Sequence, residues 1–228
     1  MMLASPIKSP LYHSRWFVIL SLLLLSAIGY VLLAYDKAAV HLWLNGCHTP
    51  WLDVFFTYYT KVGEWVPYVI VFLLLFYKAG WAAYLLSSVA LSGLICQPLK
   101  YAFDTDRPYK FFADHLPEVQ LPFVDGVTLS KFYSFPSGHT TTFFCLFLVL
   151  SMVLGEMVAH RKELWAVVCW VLAVLGAYSR IYLSQHFLED IAGGMLLGIG
   201  VTLLLYCFVP RLQATPFWNW HIPLRKKK

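Results

Sequence analysis

From Trp16 to Tyr35 the chain runs without a single charged side chain, and that run sets the terms for everything that follows. About 20 mostly apolar residues are enough for a helix to cross the hydrocarbon layer of a bilayer. Further apolar stretches follow at Trp65 to Tyr77, Ala79 to Leu99, Thr140 to Val158, Leu164 to Tyr178 and Ile191 to Val209, the second being the shortest. In the bilayer a spanning segment must satisfy its backbone hydrogen bonds internally, so helices are the expected solution. The chain is 60% hydrophobic and 13% charged over 228 residues, with a mean hydropathy of +0.66, beyond what one soluble core absorbs. The expected fold is therefore all-α: an integral membrane bundle of six transmembrane helices forming a single domain over residues 1–228.

The first apolar run follows Lys8 and Arg15, as a cleaved signal would, but it is too long for a signal core and has no small-residue cleavage site. It is expected to be a retained anchor. Of the five cysteines, Cys96, Cys145, Cys169 and Cys207 fall within spans and only Cys47 in a loop, so no disulfide framework is expected. Lys and Arg favour cytoplasmic loops. A cytoplasmic N-terminus places ten of the 17 inside, among them Lys8, Arg15, Lys78, Arg161, Lys162, Arg211 and Arg225 to Lys228. Both termini are then cytoplasmic. Residues 210–228, with Phe217, Trp218 and Trp220 ahead of the basic end, fit a tail lying on an anionic inner leaflet. The net charge of +5 is thus anchoring, with no nucleic-acid signature.

Three stretches break the apolar pattern: KYAFDTDRP from Lys100 to Pro108, PSGH from Pro136 to His139, and SRIYLSQHFLED from Ser179 to Asp190. Charges near the hydrocarbon are costly and mark function. Two crossings separate the second connection from the third, so all three stretches emerge on one face, the outer one by the charge count. In PSGH, Pro136 suits a helix's first turn, while Ser137 and Gly138 offer a hydroxyl and backbone amides at its positive end, a ready anion site. Lys100, Arg107 and Arg180 add fixed donors, and an arginine fork matches two oxygens of one phosphoryl group. His186 and Asp190 are four residues apart and share a helix face. The carboxylate can fix the ring's tautomer and leave the other nitrogen to attack phosphorus. His139, on another helix, is placed to move protons.

With these residues in their order, the chain resembles the type 2 phosphatidic acid phosphatase superfamily of membrane lipid phosphatases. The signature K-x6-RP, PSGH and SR-x5-H-x3-D is present without departure, eleven specified residues in three blocks between Lys100 and Asp190. The resemblance implies a six-helix, haloperoxidase-like core (here about residues 65–209) and metal-independent hydrolysis of a phosphomonoester or pyrophosphate through a phosphohistidine. It implies catalytic roles for His186 as nucleophile, His139 as acid/base and Asp190 as partner of the nucleophile. Lys100, Arg107, Ser137, Gly138 and Arg180 would bind the phosphate. A phosphorylated membrane lipid is the expected substrate, with no cofactor; the charge count puts the site at the outer leaflet, and the short loops and compact length point to a bacterial inner membrane.

Other readings compete. Lys100 and Arg180 taken singly read as snorkelling side chains, and Arg107 as the partner of Asp104 or Asp106. A lipid-to-lipid phosphotransferase would use the same intermediate, and a lipid-binding protein could keep a dead scaffold, although the nucleophile and its partner are both present. A metal site on two histidines and an aspartate is disfavoured, because cations already stand where a metal would act. His41, His48, His115, His160 and His221 lack motif context and read as solvent or interface side chains. Gly194 and Gly198 read as a close-packing pair inside the bundle.

Overall fold

A computed structural model describes residues 10–223; the charges at Lys8 and Arg225 to Lys228 lie outside them. The described residues form helices joined by irregular connections, the longest over 116–137, without a strand: α1 (Pro10–His13), α2 (Arg15–Ala34), α3 (Lys37–Asn45), α4 (Pro50–Tyr59), α5 (Val62–Leu74), α6 (Ala79–Phe103), α7 (Pro108–His115), α8 (Gly138–Met157), α9 (Lys162–Tyr182), α10 (Leu188–Tyr206), α11 (Val209–Gln213) and α12 (Pro216–Asn219), with one 3-10 turn at Ala159–Arg161. Five of them, α2, α6, α8, α9 and α10, are long and apolar enough to cross a membrane. The sixth expected span is α5, at 13 residues shorter than a crossing helix ordinarily is.

Hydropathy finds the spans but misjudges their ends. The third span, expected to stop at Leu99, continues to Phe103 and so takes in Lys100. The fourth begins at Gly138 rather than Thr140 and includes His139. The fifth runs to Tyr182, past Arg180, and the last starts at Leu188, ahead of Asp190. Each added turn carries a charged or titratable residue, which is why an apolarity criterion cut it off. Two amphipathic helices, α3 and α4, fill the connection between the first two apolar runs. Asp36 caps α3 by accepting from the Ala38 and Ala39 amides at 2.8 and 3.2 Å, and Thr49 caps α4 ahead of Pro50.

Helix α8 is the axis of the bundle, packed on by α5, α6, α9 and α10. Phe143, Phe144, Cys145, Leu146, Leu148, Val149 and Met152 are fully enclosed. In lipid, burial of apolar surface gives no hydrophobic gain, so helix association rests on close packing and hydrogen bonds. Both are present. The Tyr84 hydroxyl on α6 donates to the Thr202 carbonyl on α10 at 2.7 Å. A Cβ at Gly194 would sit 2.6 Å from the Ser137 carbonyl oxygen, and one at Gly198 2.5 Å from that of Thr141, so the small-residue pair works within the bundle, between α10 and α8. Gly198→Val is expected to cost about 1–3 kcal/mol by overpacking and to lower the unfolding midpoint in detergent by roughly 2–10 °C. Gly93→Ala, where nothing lies within 4 Å of the new Cβ, should leave the midpoint no lower.

The end of the bundle away from the three charged stretches is fastened by Glu156, whose carboxylate accepts from the Tyr77 hydroxyl at 3.1 Å and the Trp81 indole at 3.0 Å and pairs with Lys78. One aromatic of the C-terminal segment packs into the bundle instead of facing outward. Trp218 is buried against Trp81, ring centroids 5.2 Å apart, in space left by Gly80, where a Cβ would collide with the indole. The Ala79 amide donates to the Trp220 carbonyl and the Ile222 amide to that of Leu75. Of the three aromatics of this segment, Phe217 and Trp220 remain exposed.

Candidate active site

The connection between α9 and α10 holds His186 rigidly. At the end of α9 the Arg180 carbonyl accepts from both the Gln185 and His186 amides, at 2.9 and 3.2 Å, and Ser184 adopts a left-handed φ of 50° that turns the chain back. Asp190, in the first turn of α10, uses Oδ2 to accept from the Phe187 amide at 2.8 Å. The same oxygen accepts from the Ser134 hydroxyl at 2.5 Å and lies 3.3 Å from His186 Nδ1. Ser134 Oγ is itself 3.3 Å from that nitrogen. His186 is therefore oriented through Nδ1, and among the described residues Nε2 takes no hydrogen bond. His186 and Asp190 are both buried. Burial first, then the fields of Arg107, Arg180 and Lys100, hold the His186 pKa well below the ordinary histidine value. The imidazole is accordingly neutral at neutral pH, the form that can attack an electrophile.

The three cations surround this pair. Lys100 Nζ donates to the carbonyls of Tyr133 and Ser134 at 2.7 and 3.4 Å. Arg107 donates through Nε to the Phe132 carbonyl at 3.0 Å and through Nη1 to Gln185 Oε1 at 3.1 Å. Arg180 is buried, with Nη1 donating to Thr60 Oγ1 at 2.6 Å and Nε unpartnered. Among the described residues none of the three pairs with a carboxylate; Asp106 is taken by Lys110 instead. Sequestering like charges without counter-ions is costly, and an anion bound among them would offset that cost. Neutral protein acceptors position the cations while leaving their charge unspent.

The segment before α8 differs from expectation in detail. The helix starts at Gly138 with Ser137 as its N-cap, so Pro136 lies just outside the first turn. Ser137 is wholly buried, and its hydroxyl is turned into the helix to accept from Thr140, not outward. Its amide donates to the Asp190 carbonyl at 3.0 Å, which fixes α8 to α10. The Gly138 and His139 amides, in the first turn, have no backbone acceptor among the described residues. His139 Nε2 lies 3.0 Å from Glu64 Oε1 on α5.

All eight residues expected at the site thus converge on one end of the bundle: His186, Asp190, Lys100, Arg107 and Arg180 around one point, His139 and Gly138 at the mouth of α8, and Ser137 as the joint between α8 and α10. Sequence reasoning missed Ser134, Gln185, Thr60 and Glu64. Only Glu64 left a trace, as a lone carboxylate directly before the apolar run at Trp65. His41, read from the sequence as a solvent or interface side chain, is buried between Phe112 and Phe187. Burial pushes its pKa down to about 4. Among the described residues no three His, Cys, Asp or Glu side chains gather as a metal-holding group.

A family model described as the PAP2 superfamily matches residues 81–214. The chain is 36% identical over 171 residues to a lipid A 4'-phosphatase of Porphyromonas gingivalis, spanning 72% of this chain and 68% of that protein. It is 29% identical over 189 residues to phosphatidylglycerophosphatase B of Bacillus subtilis, spanning 79% and 84%. The crystal structure of the PAP2-type phosphatidylglycerolphosphate phosphatase from B. subtilis superposes with a TM-score of 0.64, covering 92% of this chain and 100% of that one at 24% identity. That of Aquifex aeolicus LpxE gives 0.63, covering 78% and 99% at 23% identity. At these identities the structural likeness is one of fold.

Proposed function

The chain belongs to the PAP2 superfamily, and on that premise we propose that this membrane lipid phosphatase cleaves the phosphate of a lipid headgroup at the outer leaflet through a phosphohistidine on His186. The observation that carries the proposal is the buried imidazole, oriented at Nδ1 by Asp190 and Ser134 and set among three cations that pair with no carboxylate among the described residues. The lipid's phosphoryl group takes the place of the missing anion, with the Gly138 and His139 amides adding donors at the positive end of α8. His186 Nε2 attacks phosphorus as the bond to the leaving oxygen breaks, and His139 gives that oxygen its proton. Water, deprotonated by His139, then attacks the phosphohistidine and releases inorganic phosphate. Lys100, Arg107 and Arg180 neutralise the equatorial oxygens throughout, the work a metal performs in other phosphoryl-transfer sites, so the reaction proceeds without one. Asp190 stabilises the charge that His186 acquires.

The topology proposed is a single domain of six crossings, both termini cytoplasmic and the site facing the exterior of an inner membrane. Contacts at both ends of α5 support its counting as a crossing. Glu64 meets His139 at one end of α8, and Tyr77 and Lys78, just past α5, meet Glu156 near the other. The test is phosphate release by the purified full-length protein from phosphatidic acid, phosphatidylglycerol phosphate, lipid A and polyprenyl diphosphate, in chelator. Turnover of at least one lipid, undiminished by chelator and blocked by vanadate, is expected. No release from any of them, or loss of release in chelator, would remove the reading.

A further inference from the structure

Glu64 belongs to none of the three sequence blocks, yet it makes the one side-chain hydrogen bond that His139 has among the described residues. It stands in the first turn of α5 and reaches α8 because the residue before it is glycine. A Cβ at Gly63 would lie 2.9 Å from the Phe143 ring and 3.6 Å from His139 Cδ2, so α5 approaches here as closely as a backbone can. The two histidines of the site are therefore each held by a carboxylate, in contrasting surroundings. Asp190 is sealed in, with its side chain 1% exposed, whereas the Glu64 side chain is 46% exposed at the rim.

We propose that Glu64 is a positioning residue for His139, and that it tunes the site to lipid phosphomonoesters over diphosphates. This rests on the phosphatase reading above. A carboxylate 3.0 Å from Nε2 keeps a proton on that nitrogen, so the imidazolium form gives its Nδ1 proton to the leaving oxygen, and the neutral Nε2–H tautomer that results takes a proton from water at Nδ1. Its negative charge also offsets the imidazolium that forms when His139 takes the proton of water in a site already holding three cations. The importance of such help depends on the leaving group. The alkoxide released from a phosphomonoester is a strong base and must be protonated as the P–O bond breaks. The phosphate monoanion or dianion released from a diphosphate is a weak base and can depart unprotonated. An exposed carboxylate at the exit also repels a leaving group that carries its own negative charge.

The experiment compares dodecyl phosphate with dodecyl diphosphate, which share a tail and differ in the leaving group, in mixed micelles with the full-length protein and Glu64→Gln. The wild type should turn over the monoester with the higher kcat/KM. Glu64→Gln should lower kcat on the monoester by about 10²-fold with KM within roughly threefold, since the lost interaction belongs to the transition state. On the diphosphate kcat should fall less than about threefold. In a His139→Ala background, adding Glu64→Gln should produce no further loss on the monoester. An equal fall on both substrates, no fall, a rise, or a wild-type preference for the diphosphate overturns the inference. In each of those cases wild-type turnover persists and the phosphatase reading stands. Turnover of neither substrate by the wild type removes both together.

Discussion

Replacing His186 with alanine is expected to reduce turnover by on the order of 10⁶ and to remove the phosphoenzyme altogether. In the wild type, acid-free quenching during turnover of a ³²P-labelled lipid should trap label on protein that is stable in base and lost in acid, as a phosphoramidate is. The variant should trap none. Its fold should survive, because Asp190 keeps its bonds to the Ser134 hydroxyl and the Phe187 amide, and the Gln185 amide still closes the turn onto Arg180. Substrate binding should also survive, since Lys100, Arg107 and Arg180 are anchored by carbonyls and hydroxyls that do not involve the imidazole. Full activity in this variant would remove the covalent mechanism and leave only the anion site.

Asp190→Asn should be nearly as damaging, lowering kcat by on the order of 10³ to 10⁴ while KM changes little. Oδ2 accepts from the Phe187 amide and the Ser134 hydroxyl and faces His186 Nδ1. An amide can keep the first two bonds only by turning its oxygen to them, and it then has no charge to stabilise the imidazolium-like nitrogen formed on attack. The substitution preserves shape, so an unfolding midpoint close to wild type is expected beside the lost rate. Burst kinetics would locate the defect. A slow first turnover, with dephosphorylation of any trapped intermediate unchanged, is the expected pattern, and a normal burst would show that Asp190 acts elsewhere.

The helical fold and the gathering of the signature residues at one end of the bundle were legible in the chain because two strong signals operate at different scales. Charge-free runs of about 20 residues announce spans whatever their neighbours do, and cations placed at their ends mark a common face. The weak points have physical causes. Span ends were cut short at Leu99, Thr140, Tyr178 and Ile191 because hydropathy stops where Lys100, His139, Arg180 and Asp190 begin, although the helices continue through them. Ser137 was expected to show its hydroxyl to a ligand, but N-capping competes for that oxygen. Ser134, Thr60 and Gln185 carry no periodicity or charge, and their roles arise from loops and helices far apart in sequence. His41 was misjudged because its burial comes from Phe112 and Phe187, aromatics supplied by two distant segments.

The short helix beside the proposed active site has a consequence for the surrounding lipid. At 1.5 Å per residue, the 13 residues of α5 rise about 20 Å, against a hydrocarbon thickness of about 30 Å. On the proposed six-crossing topology, an element this short would draw the adjoining monolayers inward. The sagging of the headgroup plane would then be deepest along the flank that carries Glu64. A phospholipid diffusing past would find its phosphate already lowered to the depth of the histidines, and catalysis would proceed without lifting the molecule from its own leaflet.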